Sequence, residues 1–150
     1  MDRAALVAFM SRFRYGVVSS LSHSGVPQSA LVGIAVTPEL DIAFDTVKSS
    51  RKYANLIEDP RCSMVIGWDG EQTVQLEGLA TQPTESELSR YREIYFAVWP
   101  ECRAHLSWPG IVYFVVRPTW IRYSDFDQHP PLIEEMVLDP ASNIPMEGNP

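Results

Sequence analysis

The chain has 150 residues and a formal net charge of −7, with 45% hydrophobic and 21% charged residues. That is enough apolar chain for one folded domain with its own core, and the acidic balance excludes general nucleic-acid binding, which needs a broad basic surface. No apolar run is long enough to span a bilayer, and the first residues, MDRAALVAFMSRFRYG, lack the charged-then-apolar order of a signal peptide; a cytoplasmic protein, with no membrane partner and with Cys62 and Cys102 as free thiols, is expected.

Residues 3–13 place Ala4, Leu6, Val7, Phe9, Met10 and Phe13 largely on one helical face. Residues 15–22 read as a first strand, turned by His23-Ser24-Gly25 into a second at 28–37. From Ala30 to Val36 that second strand is apolar at both parities, so both of its faces should be covered, as in a barrel wall with a helix or a second subunit outside. A third strand follows at 41–45.

The next stretch, FDTVKSSRKYANLIEDP from Phe44 to Pro60, concentrates charge: Lys48, Arg51 and Lys52 are three cations within five residues. Ser49 or Ser50 can cap a short helix, Leu56 and Ile57 should turn inward, and Asp59-Pro60 ends it. Helices favour acids in their first turn, because free N–H groups leave partial positive charge there. Arg51 and Lys52 stand in those places instead, which costs a few tenths of a kcal/mol by the usual dipole magnitudes unless an anion sits over the turn. Hydroxyls, a guanidinium, an ammonium and free N–H groups suit a phosphate; a solvated basic turn is the other reading.

Residues 61–68 and 71–81 form a hairpin about Asp69-Gly70. In its second strand Thr73, Gln75, Glu77 and Leu79 share one face, open to water or to a polar ligand. A second helix spans 83–99, with Thr84 as N-cap and Glu87 at the capping-box position. After an irregular piece at 101–109, a strand at 110–116 is broken by Arg117-Pro118, and a last strand occupies 120–126. The tail from Asp127 is read as a surface arm, partly disordered at 143–150, which divides the chain into a domain at 1–126 and an arm at 127–150. Strands joined mostly by hairpins imply an antiparallel, closed or partly closed barrel.

No GxGxxG or GxxxxGK[ST] is present. Cys102 and His105 are spaced like two metal ligands, but no second pair accompanies them and HExxH is absent, so no metal site is read. His23 and His129 each stand alone.

The series PQSALVGIAV, ELDIAFDT, SSRKYANLIEDPRCSMVIGW, EQTVQLEGLA, WPGIVYFVV and PTWIRYSDF resembles the pyridoxamine-5'-phosphate oxidase-like family of FMN-binding split barrels. The likeness runs in order through residues 15–126, and its strongest motif is Thr46 with Ser50-Arg51-Lys52 ahead of the short helix. It implies a mainly β fold, an antiparallel six-stranded split barrel, working as a homodimer with FMN at the subunit interface. By position, Thr46, Ser50, Arg51 and Lys52 would hold the FMN phosphate. The backbone of Ser29, Ala30 and Leu31 would run along the isoalloxazine ring. Gln72 and Thr73 occupy the place of a glutamine that reaches the flavin, and Trp108 would lean over the ring from the partner subunit.

The oxidases that make pyridoxal phosphate carry an arginine and a lysine where Ser29 and Ile34 stand here, an Arg-x-His segment where this chain has SDFDQHP, and a tryptophan where it has Ser124. The resemblance therefore carries flavin binding and does not carry pyridoxamine-phosphate oxidation. The expected function is an FMN-dependent oxidoreductase acting on a small organic molecule, with no catalytic residue assigned. A reductase using the deazaflavin F420 and a non-enzymatic flavin store or sensor are the alternatives.

Overall fold

The computed structural model describes residues 1–139. In chain order the elements are α1 (Arg3–Met10), β1 (Tyr15–Leu21), β2 (Pro27–Gly33), β3 (Ala35–Val36), β4 (Ile42–Val47), α2 (Arg51–Glu58), β5 (Arg61–Ile66), β6 (Gln72–Thr81), α3 (Glu85–Val98), a 3₁₀ helix (Pro100–Ser107), β7 (Ile111–Asp125) and β8 (Leu132–Val137). All strands pair antiparallel in one sheet, in the order β2-β1-β5-β6-β7-β4-β3, with β8 added alongside β7. No helix among the described residues is long and apolar enough to cross a membrane.

The sheet curls into a split barrel because β2 and β3, at its opposite ends, are one stretch of chain. The single strand expected at 28–37 is divided at Ile34. Its N–H donates to the Arg14 carbonyl at 2.8 Å, and its carbonyl accepts from the Trp99 indole at 3.1 Å. With both backbone groups taken, Ile34 joins no ladder and the chain changes neighbours. Gly33 makes room for this, since a Cβ there would sit 2.9 Å from the Trp99 ring. Within one copy, Ile34 and Ala35 in the second half of this stretch are buried, whereas Leu31 is 61% exposed.

Two further differences lie at β7 and beyond. The break expected at Arg117-Pro118 is absent; β7 runs through it with a bulge. Glu77 faces Trp120 and Gly78 faces Pro118, so Thr119 is the extra residue, and its hydroxyl donates to the Glu77 carbonyl at 3.2 Å. A bulge tolerates the missing proline donor. The strands also do not end at Phe126: β8 pairs with β7 from Trp120 to Asp125, and Leu132 and Met136 pack on the core. The adjacent Glu134-Glu135 masks this alternation in the sequence. The disorder expected at 143–150 falls outside the described residues.

Apolar side chains fill the barrel between the sheet, α1 and α2, with Val18, Ile34, Phe44, Ile66, Val74, Leu76 and Phe114 almost fully buried. A second cluster lies on the other side of β4, where Tyr95, Phe96, Trp99 and Cys102 pack against Ala35 and Tyr113. β4 is therefore covered on both faces. Alternation along it sends neighbouring residues into two different environments.

Candidate functional site

The turn after β4 folds as its caps dictate. Ser50 is the N-cap of α2, its Oγ accepting from the Tyr53 N–H at 3.2 Å. Thr46, buried at the end of β4, donates to the same Ser50 Oγ at 2.9 Å. Lys52 in turn points its ammonium at Thr46 Oγ1, 3.5 Å away. The first turn of α2 has no acidic residue, and Lys52 forms no salt bridge among the described residues. Its partial burial pushes the ammonium below the usual lysine range, while the carboxylate of Asp45 offsets part of this.

Arg51 leans the other way. Its Nε donates to Gln28 Oε1 on β2 at 3.1 Å. Asn55, one turn along the helix, donates to the same oxygen at 2.9 Å and to Ser20 Oγ at 3.0 Å. Asn55 is buried and Ile57 is exposed, so the inward pair of α2 is Asn55 and Leu56 rather than Leu56 and Ile57. The two acceptors explain how a polar side chain occupies that position.

Between α2 and β2 these side chains border a cleft of about 380 Å³, lined by Ser29, Ala30, Gln28, Arg51, Lys52 and Asn55. Its donors are a guanidinium with only Nε engaged among the described residues, an ammonium and a helix N-terminus, a set suited to a phosphate or another compact anion. Thr46 and Ser50 stand behind Lys52. Leu31 continues β2 past the cleft.

Gln72, Thr73 and Trp108 are placed elsewhere in the chain. Gln72 and Thr73 line a cleft of about 350 Å³ with Trp68, Gln75, Ser124 and Phe126. It opens at β6, which the sheet order separates from β2 by β1 and β5. Thr73 Oγ1 is buried there without a hydrogen-bond partner among the described residues. Trp108, half exposed, follows the 3₁₀ helix and stacks on His105 with ring centres 3.8 Å apart. Gln28 and Asn55 were missed from the sequence; an asparagine inside an amphipathic helix, on the side of Leu56, is the signal that points to them.

The profile of the family described as pyridoxamine 5'-phosphate oxidase matches residues 3–125. No curated protein matches the chain. Among solved structures, a heme binding protein from Mycobacterium smegmatis superposes with a TM-score of 0.77 at 16% identity, over 91% of this chain and 58% of that one. The chain thus spans less than two thirds of that protein. General Stress Protein 26 from Bacillus anthracis gives 0.70 at 20% identity, over 92% and 100% of the two chains. A pyridoxamine 5'-phosphate oxidase-related, FMN binding protein from Nostoc punctiforme gives 0.68 at 11% identity, over 93% and 97%. At these identities the likeness establishes a shared fold.

Proposed function

Because the chain belongs to the pyridoxamine 5'-phosphate oxidase family, we propose that it binds FMN and works as an oxidoreductase on a small organic molecule. The observation that carries this reading is Lys52: a partly buried ammonium with no salt bridge among the described residues, beside Arg51, at the mouth of a helix that lacks acids in its first turn. A phosphate monoester, with about −1.5 to −2 charges at neutral pH, supplies what that turn lacks. Arg51 and Lys52 hold the phosphate, Thr46 and Ser50 fix Lys52, and the β2 backbone at Ser29, Ala30 and Leu31 lies along the ring. FMN, when bound, supplies the redox chemistry, and the protein supplies anchoring and shape.

The site in this reading is completed by a second copy of the chain. Within one copy, Gln72, Thr73 and Trp108 do not reach the α2 cleft. Leu31, Val65 and Trp68 leave large apolar side chains on the surface, and the Thr73 hydroxyl, unpartnered among the described residues, gives a polar group to which a neighbour or ligand can bond. A homodimer with cofactor between its copies uses all of these.

The test is the absorbance and extracted cofactor of the purified protein, with FMN added where none is retained. FMN is expected to bind, and Arg51→Ala with Lys52→Ala to weaken it by about a hundredfold or more while the fold persists, since two charge-assisted contacts are lost. A haem spectrum, extracted F420, or a double variant that holds FMN as well as its parent overturns the assignment. Bound flavin that no donor, including NAD(P)H, reduces leaves the flavin reading and overturns the oxidoreductase.

A further inference from the structure

Asp45 neighbours Thr46 on β4 but faces the opposite way, under α3 and the 3₁₀ helix. There His105 Nδ1 stands 2.8 Å from Asp45 Oδ2, and the Tyr95 hydroxyl donates to Asp45 Oδ1 at 3.2 Å. Cys102 is the fourth member. One donor atom each from Asp45, Cys102 and His105 all lie within 4.8 Å of one another. The convergence has a local cause. Cys102 and His105 are three residues apart on a 3₁₀ helix, whose three-residue turn brings positions i and i+3 to the same side. The sequence offers this pair no further ligand nearby; the fold brings Asp45 from 57 positions before Cys102.

We propose that Asp45, Cys102 and His105 form a mononuclear zinc site with three protein ligands and an open fourth position. A sulfur, an imidazole nitrogen and a carboxylate oxygen are the donor types zinc takes, whereas magnesium and calcium select oxygen alone. Thiolate and carboxylate together balance the dication. Ligand bonds of about 2.0 to 2.3 Å set tetrahedral edges of roughly 3.3 to 3.7 Å. The His105–Asp45 edge therefore opens by about half an ångström and the longest edge closes by about one, within reach of side-chain rotation.

An outer shell is already in place. Tyr95 holds the carboxylate oxygen that faces away from His105, and Trp108 stacks on the imidazole and fixes its plane. On binding, the Cys102 S–H breaks, a zinc–sulfur bond forms and the proton leaves to solvent. Neutral His105 keeps its proton, moved to Nε2, as Nδ1 takes the metal. Water fills the fourth position. This site is on the opposite side of β4 from the α2 cleft and stands whether or not FMN binds there.

The experiment is titration of the chelator-stripped full chain with Co²⁺, followed by displacement with Zn²⁺. One equivalent of Co²⁺ is expected to give a thiolate-to-metal charge-transfer band and the intense visible bands of a four-coordinate ion, both lost on adding Zn²⁺. Cys102→Ser removes the charge-transfer band. Asp45→Asn and His105→Gln each weaken binding at least tenfold, while His23→Gln leaves it unchanged. His105 is partly exposed, so its variant keeps the comparison valid if Cys102→Ser fails to fold. No band at stoichiometric Co²⁺, a charge-transfer band that survives Cys102→Ser, or full affinity in His105→Gln overturns the proposal.

Discussion

The Lys52 ammonium stands 3.5 Å from the hydroxyl of Thr46 and forms no salt bridge among the described residues. A cation placed this way destabilises the cofactor-free protein. Its folded pKa lies below the unfolded value, so the group costs stability in full at pH below that folded value, and the cost disappears as pH rises through the unfolded one. Lys52→Met should therefore raise the melting temperature of the cofactor-free protein at neutral pH and weaken FMN binding by about tenfold or more. Thermal melts with and without FMN measure both, and the opposite signs separate a binding lysine from a structural one.

Asn55 bridges α2 to β1 and β2 through Ser20 and Gln28. Asn55→Ala removes the donor that reaches the buried Ser20 hydroxyl and should cost about 1–3 kcal/mol in urea unfolding. Gln28 would also lose one of the two donors that hold its carbonyl beside Arg51, so FMN affinity should fall with stability. An unchanged affinity would show that Arg51 is positioned by other means.

Gly78 faces the β7 bulge so closely that a Cβ would lie 2.6 Å from the Arg117 carbonyl oxygen. That neighbour is backbone and cannot swing aside. Gly78→Ala should lower stability by about 2 kcal/mol or more, by the usual magnitude of overpacking, or about 4–8 °C in melting temperature for a chain of this size. Pro118 would be displaced with it.

Burial pushes the Cys62 thiol up to about 12, and burial also raises Tyr95, Tyr91, Tyr113 and Tyr123. In the unfolded chain these groups lose protons in their ordinary ranges, while the folded chain retains them. Their contribution is complete below the unfolded values and is lost as pH climbs toward the folded ones. Unfolding free energy should thus decline from about pH 9 upward. Cys62 should resist thiol reagents in the native protein and react on unfolding, which a colorimetric thiol assay follows.

The features legible in the sequence are those whose causes are local. Thr84 and Glu87 form the capping box that their spacing announces, Ser50 caps α2, and the Asp69-Gly70 hairpin joins β5 to β6. Thr46, Ser50 and Lys52 could be grouped because they lie within seven residues of one another. What escaped the sequence depends on distant partners. The division at Ile34 is made by Trp99, 65 residues away. The bulge that carries Pro118 needs Gly78 opposite. Asn55 becomes comprehensible only beside Ser20 and Gln28, and Asp45 only beside His105, 60 positions on.

The single residue between β2 and β3 acts as a ruler. Ile34 joins the two ends of the sheet covalently, and one extended residue spans no more than about 3.6 Å. The ends cannot drift apart without breaking the ladders of β1 or β4. Ser29 and Ala30 on β2, at one end of the sheet order, and Thr46 on β4, next to the strand at the other end, are thereby held at a fixed separation by the chain itself. A ligand that touches both meets a gauge whose length is set by peptide geometry rather than by the packing of side chains.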